Sequence, residues 1–169
     1  FIANKILNNY KNSVNTYAPV FTPEMLQQEF IDWKNYRYNL NTESDLVKSM
    51  ISFFGDEQKV IETLKKYYVR TEKNYMIFPY INKSNQLTYV KKMGYNGFSR
   101  TKYIYTPFKA KIGSFKQCLF GLYLVDSSKT VHVVESEKTA LFCDIYYPNY
   151  TWIATGGLNM ISKIDDLDN

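Results

Sequence analysis

Hydrophobic positions along the 169-residue chain follow helical spacing first and strand spacing later. Residues 1–20 are Asn-rich and weakly patterned, which predicts a linker or a loosely docked arm. Thr22-Pro23-Glu24 predicts a helix start, with a capping hydroxyl, Pro at the first helical position and a carboxylate in the first turn. That helix should run to Trp33, with Met25, Leu26, Phe30 and Trp33 on one face. Asn41-Thr42-Glu43 opens a second helix whose stripe is Leu46, Met50, Ile51, Phe53 and Phe54. Gly55 should close it in the left-handed conformation, and Asp56 should cap a third helix over 57–67 that turns Val60, Ile61 and Leu64 inward. The second and third helices should form a hairpin.

From Tyr75 the spacing shortens. Residues 75–81 and 86–93 read as two strands joined by the turn cluster Asn82-Lys83-Ser84-Asn85. Residues 94–113 carry Gly94, Asn96-Gly97, Pro107 and Gly113 and are expected to be loop. Ser114 should cap a short helix passing through Cys118 toward Leu122. Then Thr130–Val134 predicts a strand, Glu137–Tyr147 a helix broken by Pro148-Asn149, Tyr150–Ala154 a second strand, and Leu158–Ile164 a further helix. A strand–helix–strand order implies a parallel sheet with a crossover. The expected fold is mixed α/β (α+β overall). Helices span residues 1–70, a β-hairpin-containing lobe spans 71–126, and a Rossmann-like parallel-sheet half spans 127–169.

A chain of this length that is 45% hydrophobic can bury a core of its own. Cys118 and Cys143 lie in no CxxC or Cys/His cluster, so no zinc site is expected. Both read as buried free thiols, which suits a reducing cytoplasm. No apolar run approaches the ~20 residues of a membrane span. The opening Phe1-Ile2-Ala3 has no signal-peptide shape and reads as the start of a fragment of something longer. The net charge of +5 is unevenly spread: residues 56–116 hold thirteen basic and four acidic side chains, and residues 117–169 hold three basic and seven acidic. A basic middle before an acidic end fits a polyanion surface beside a metal site, or an ordinary solvated face.

Ligands of open α/β sheets bind beyond the carboxyl ends of the strands. One such end carries Glu135, which could hold Mg²⁺ or act as a general base. The other carries Thr155-Gly156-Gly157, a turn whose N–H groups could hold an anion. Each feature also has a plain reading, as a surface or capping glutamate and as a simple turn.

Val133-Val134-Glu135-Ser136-Glu137-Lys138-Thr139-Ala140 resembles the first Toprim motif, a hydrophobic strand followed by Glu-Gly-x-x-Asp-Ala. Trp152-Ile153-Ala154-Thr155-Gly156-Gly157 resembles the second strand and turn of that fold. Upstream, Ile77-Phe78-Pro79-Tyr80-Ile81 with its returning strand, and Lys116 followed by Leu119-Phe120-Gly121-Leu122, resemble the lobe before Toprim in bacterial and phage primases. The run from Cys118 through Gly157 is similar to Toprim-like proteins of Bacteroides-type bacteria and their mobile elements. The resemblance implies that Glu135 is the Toprim glutamate, a general base or metal-proximal acid served by Mg²⁺ (or Mn²⁺). It also implies that Arg100, Lys102, Lys109, Lys111 and Lys116, with Gly156 and Gly157, handle phosphates, and that Tyr103 and Tyr105 either stack bases or pack in the core. Implied partners are single-stranded DNA or RNA, nucleotides and a replicative helicase, in a bacterial cytoplasm, during replication of a mobile element or phage.

The chain departs from the motif at Ser136, where Gly is usual, and at Thr139, where Asp is usual. Asp166 and Asp168 spell Asp-x-Asp, but no strand run precedes them, so they read as a helix end or tail rather than the Toprim metal motif. On that reading this chain alone is inactive. Two alternatives stand beside the primase-like enzyme. One is a non-catalytic nucleic-acid module on a degenerate Toprim scaffold. The other is a protein adaptor, whose mark would be a large exposed Tyr/Phe patch with no basic groove.

Overall fold

The structure is a computed structural model that describes residue 40, residues 42–109 and residues 117–167. The expected arm over 1–20, the helix from Thr22 to Trp33 and the cap at Ser114 lie outside the described residues.

Helix α1 (Asp45–Phe54) begins four residues later than Asn41. Ser44 stands at its N-cap, but the Ser44 hydroxyl donates to Met76 Sδ at 3.3 Å rather than capping the helix. Gly55 ends α1 at φ 67°, the left-handed conformation its lack of Cβ allows. Asp56 Oδ1 then accepts from the Lys59 N–H at 2.9 Å and caps α2 (Glu57–Lys66). Leu46, Val47 and Met50 of α1 and Val60 and Leu64 of α2 are buried, while Ile51, Phe54 and Ile61 pack at the core's margin. Phe53 differs from the expected stripe. Placed beyond the edge of the Leu46–Met50 face, it is 55% exposed.

Four strands follow: β1 (Arg70–Glu72), β2 (Tyr75–Ile81), β3 (Leu87–Asn96) and β4 (Ser99–Lys109). They form one antiparallel sheet in the order β1-β2-β3-β4. The end of β3 and strand β4 replace the expected loop from Gly94 to Lys109, because Gly97-Phe98 is a two-residue hairpin turn, with Gly97 at φ 55° and Asn96 paired to Ser99; residues 110–113 lie outside the described residues. On one face of this sheet Met76, Phe78 and Tyr80 lie opposite Met93, Lys91 and Tyr89. That face covers the core shared with α1 and α2.

The remaining unit is β5 (Val131–Val134), α3 (Glu137–Tyr146) and β6 (Thr151–Ala154), with β5 parallel to β6 as the strand–helix–strand order requires. Gln117–Leu119 is not helical. Phe120 instead exchanges hydrogen bonds with Ala154 (2.8 and 3.0 Å) as an antiparallel bridge, and a short 3₁₀ turn covers only Leu122–Leu124. The bridge places the Phe120 ring at the centre of the core, stacked on Tyr67 at 5.3 Å and against Phe78 and Tyr80 at 5.8 Å. Burying a side chain of this size contributes about 1.5–3 kcal/mol. One buried cluster thus draws on the helical pair, the antiparallel sheet and the crossover unit. The segment Leu158–Leu167 is a tight 3₁₀ run, and the backbone of Asp165 and Asp166 belongs to it rather than to a strand end. No helix among the described residues is long and apolar enough to cross a membrane.

Candidate functional site

The parallel register pairs Val134 with Ala154, so Glu135 and Thr155 leave the sheet side by side. Three hydrogen bonds fix this junction: Thr155 N–H to Val134 O (3.0 Å), Gly156 N–H to Glu135 O (2.9 Å) and the Thr155 hydroxyl to Glu135 O (3.3 Å). Gly157 N–H reaches Thr155 Oγ1 at 3.4 Å. The two glycine N–H groups are therefore committed within the turn. The Glu135 side chain is exposed, and Ser136 caps α3 by accepting from the Thr139 N–H at 3.2 Å.

Glu135 stands between two cavities. One, of about 150 Å³, is apolar, formed by Val133, Val134, Leu158, Ile161 and Ile164 with Thr155. The other, of about 310 Å³, is polar. It is lined by Glu135, Ser136, Glu137, Lys138 and Thr139 at the start of α3 and by Tyr95, Phe98 and Arg100 from the β3–β4 hairpin. Among the described residues no carboxylate pairs with Arg100 or Lys138. Partial burial, then the nearby Arg100 charge, lower the Lys138 pKa below the usual lysine value. Lys138 Nζ donates to Phe98 O at 2.7 Å, which ties the helix to the hairpin. The start of α3 adds its own partial positive charge to the same space.

The structure brings together only part of the expected phosphate set. Arg100 meets Glu135 in the polar cavity. Lys102 is exposed on β4 and does not line it, and Lys109 ends β4 opposite Tyr89. Lys111 and Lys116 lie outside the described residues, and of Tyr103 and Tyr105 only the strand backbone is described.

Behind the cavity lies a buried polar cluster that sequence reasoning missed. Glu137, 1% exposed, accepts from Lys91 Nζ at 2.8 Å and from the Tyr80 hydroxyl. Lys91 Nζ also donates to Gly156 O at 3.0 Å. One lysine of the antiparallel sheet therefore holds both the α3 start and the glycine turn. Burial, and next the Glu137 charge, push the Tyr80 and Tyr95 hydroxyls well above the usual tyrosine pKa. The available signal was weak, because Val90-Lys91-Lys92 blurs the alternation that would mark Lys91 as inward. Glu137 thus differs from Glu135, its carboxylate being spoken for. Among the described residues no three His, Cys, Asp or Glu side chains gather as a metal-binding group.

Fold and site together define a mixed α/β protein in which a strand-end glutamate and two cations, without an ion pair among the described residues, line one open cavity. Residues 44–167 match the family described as "Domain of unknown function (DUF6371)", and the chain belongs to that family. No curated protein matches it.

Proposed function

We propose that this chain engages single-stranded nucleic acid as part of a primase-like Toprim protein that performs metal-dependent phosphoryl transfer. Arg100 and Lys138 would hold a backbone phosphate beside Glu135. The observation that carries the reading is that Arg100 and Lys138 line one cavity beside the exposed Glu135, and that among the described residues neither cation forms an ion pair. Arg100 and Lys138 repel each other, and a phosphate bound between them would offset that repulsion.

The donor set bears on Mg²⁺ or Mn²⁺ directly. Glu135 offers a carboxylate without an ion pair among the described residues, whereas Glu137 is held by Lys91 and Tyr80. One carboxylate suits a hard cation bound jointly with phosphate oxygens, and the cation would neutralise charge on the phosphate. It falls short of the converging carboxylates of a two-ion site. The second reading, a non-catalytic nucleic-acid module, is favoured by the same withdrawal of Glu137.

The test is fluorescence-anisotropy titration of a labelled single-stranded oligonucleotide across a range of salt. Wild-type affinity should fall steeply with salt, and Arg100→Ala and Lys138→Ala should each flatten the logarithmic slope by about 0.7. Glu135→Gln should leave metal-free binding in place and abolish any gain on adding Mn²⁺. Absence of binding at low salt would overturn the reading.

A further inference from the structure

Aromatic rings, exposed from Phe98 to Tyr147 and half-buried at Trp152 and His132, lead away from the polar cavity in an unbroken series. Phe98, 38% exposed at the cavity wall, meets Phe53 at 5.9 Å, and Phe53 meets Tyr146 at 6.3 Å. Tyr146 meets Tyr147 at 6.0 Å, and Tyr147 meets Trp152 at 6.2 Å. Trp152 carries the series on to Tyr150 and, by stacking at 4.6 Å, to His132. Phe53, Tyr146 and Tyr147 are each more than half exposed.

Helical spacing builds this ridge. Lys138, Phe142 and Tyr146 recur every fourth residue on α3, so a cation begins the line that aromatic rings continue. Phe53, displaced from the α1 core face, fills the gap between Phe98 and Tyr146.

We infer that this ridge is a stacking track for the bases of a single strand whose phosphate sits between Arg100 and Lys138. The inference rests on the proposed function and extends it from one phosphate to a path. Two points favour a nucleic acid over a protein partner. The ridge starts at Arg100 and Lys138, which form no ion pair among the described residues and complement a polyanion, and it is continuous with the cavity that would hold the phosphate. An adaptor surface would need the aromatic patch without that positive end. Every base offers a face to an aromatic ring, so such a track tolerates sequence.

The experiment compares two labelled probes of equal length, oligothymidylate and an abasic deoxyribose-phosphate strand, on the full chain. Wild type should bind oligothymidylate at least tenfold more tightly than the abasic strand. Tyr146→Ser/Tyr147→Ser removes two exposed rings, and an unchanged thermal melt confirms its fold. This variant should lose most of that preference while keeping abasic affinity and salt slope. Arg100→Ala should weaken both probes alike. Base stacking should also quench Trp152 emission in wild type, a component missing in Trp152→Phe.

Equal oligothymidylate binding by wild type and the double serine variant would overturn the track and leave the phosphate site standing. Failure of wild type to bind either probe at low salt would remove both. Concentration-dependent self-association that the serine variant abolishes would identify the ridge as a contact between copies of this chain, and would also overturn the track.

Discussion

Lys91 occupies an inward position of β3, in register with Phe78, where an aliphatic side chain would be the ordinary occupant. Its ammonium group is nearly sealed from water, as is its partner carboxylate on Glu137. Removing one member of such a pair strands a buried charge, which costs about 3–5 kcal/mol, whereas replacing both by apolar groups can be close to neutral. Lys91→Met should therefore destabilise by about 3 kcal/mol, and Glu137→Leu by a similar amount. The double variant should regain most of that loss in urea unfolding. Simple additivity of the two single effects would show that Lys91 and Glu137 are not coupled. The pair has a role beyond stability, because Lys91 also fixes Gly156 O and hence the turn beside Glu135.

The glycine turn shows how tightly the elements meet. Gly156 has φ 79°, and a methyl group there would collide with the Tyr80 hydroxyl and press on the ring carbon that bears it. Gly156→Ala should cost about 2–4 kcal/mol from left-handed strain and overpacking together. The loss should be smaller in a Tyr80→Phe background, where the colliding oxygen is gone. An equal loss in both backgrounds, read from thermal melts, would locate the constraint in the backbone alone. Legibility in the sequence divides along the same line. Helices α1, α2 and α3, strands β2, β3, β5 and β6, and the parallel pairing were readable because each has a local signal, such as the Gly55 closure, the Asp56 cap or the β-branched run before Glu135. Strand β4 was not readable. Its Pro107 and its flanking glycines resemble loop punctuation, and the pairing with β3 that makes it a strand is not local. The same limit hid the site's interior. Glu135 and Gly156 were legible as strand ends, but Lys91, Tyr80 and Glu137 meet only through tertiary packing. Phe53 reads as core in the sequence because it follows Leu46 and Met50 at helical spacing, yet its phase falls just past the buried face.

At the scale of the whole molecule, tyrosines hold the layers together. Tyr67, at the end of α2, donates its hydroxyl to Trp152 O of β6 at 2.7 Å and lies 3.3 Å from Asp144 of α3, which Lys66 also engages at 2.6 Å. Tyr80 reaches from β2 to Glu137, and Tyr123 donates to Lys66 O. Tyr67 and Tyr80 place their rings in the buried cluster, and all three hydroxyls find a partner on another element. Burial in every case, with neighbouring charge from Asp144 or Glu137, raises the pKa of Tyr67, Tyr80, Tyr95 and Tyr123. The folded state therefore keeps protons that the unfolded chain releases near its ordinary tyrosine value of 10.0. The stability these groups contribute is complete below about pH 10 and is lost as pH climbs above it. Lys138 works in the opposite direction, since its lowered pKa favours the fold as it deprotonates, but one partly exposed lysine is set against three buried tyrosines and the half-buried Tyr123. Alkaline unfolding should accordingly be cooperative. Tyrosinate absorbance from the buried Tyr67, Tyr80 and Tyr95 should rise late, in step with loss of the circular dichroism signal. Tyr67→Phe should lower stability at neutral pH by about 1–2 kcal/mol through its lost hydrogen bonds. It should also make the decline above pH 10 shallower, because one proton-retaining group is gone. A single smooth rise that finishes before the dichroism changes would mean that these hydroxyls titrate freely and do not tie the sheet to the crossover unit.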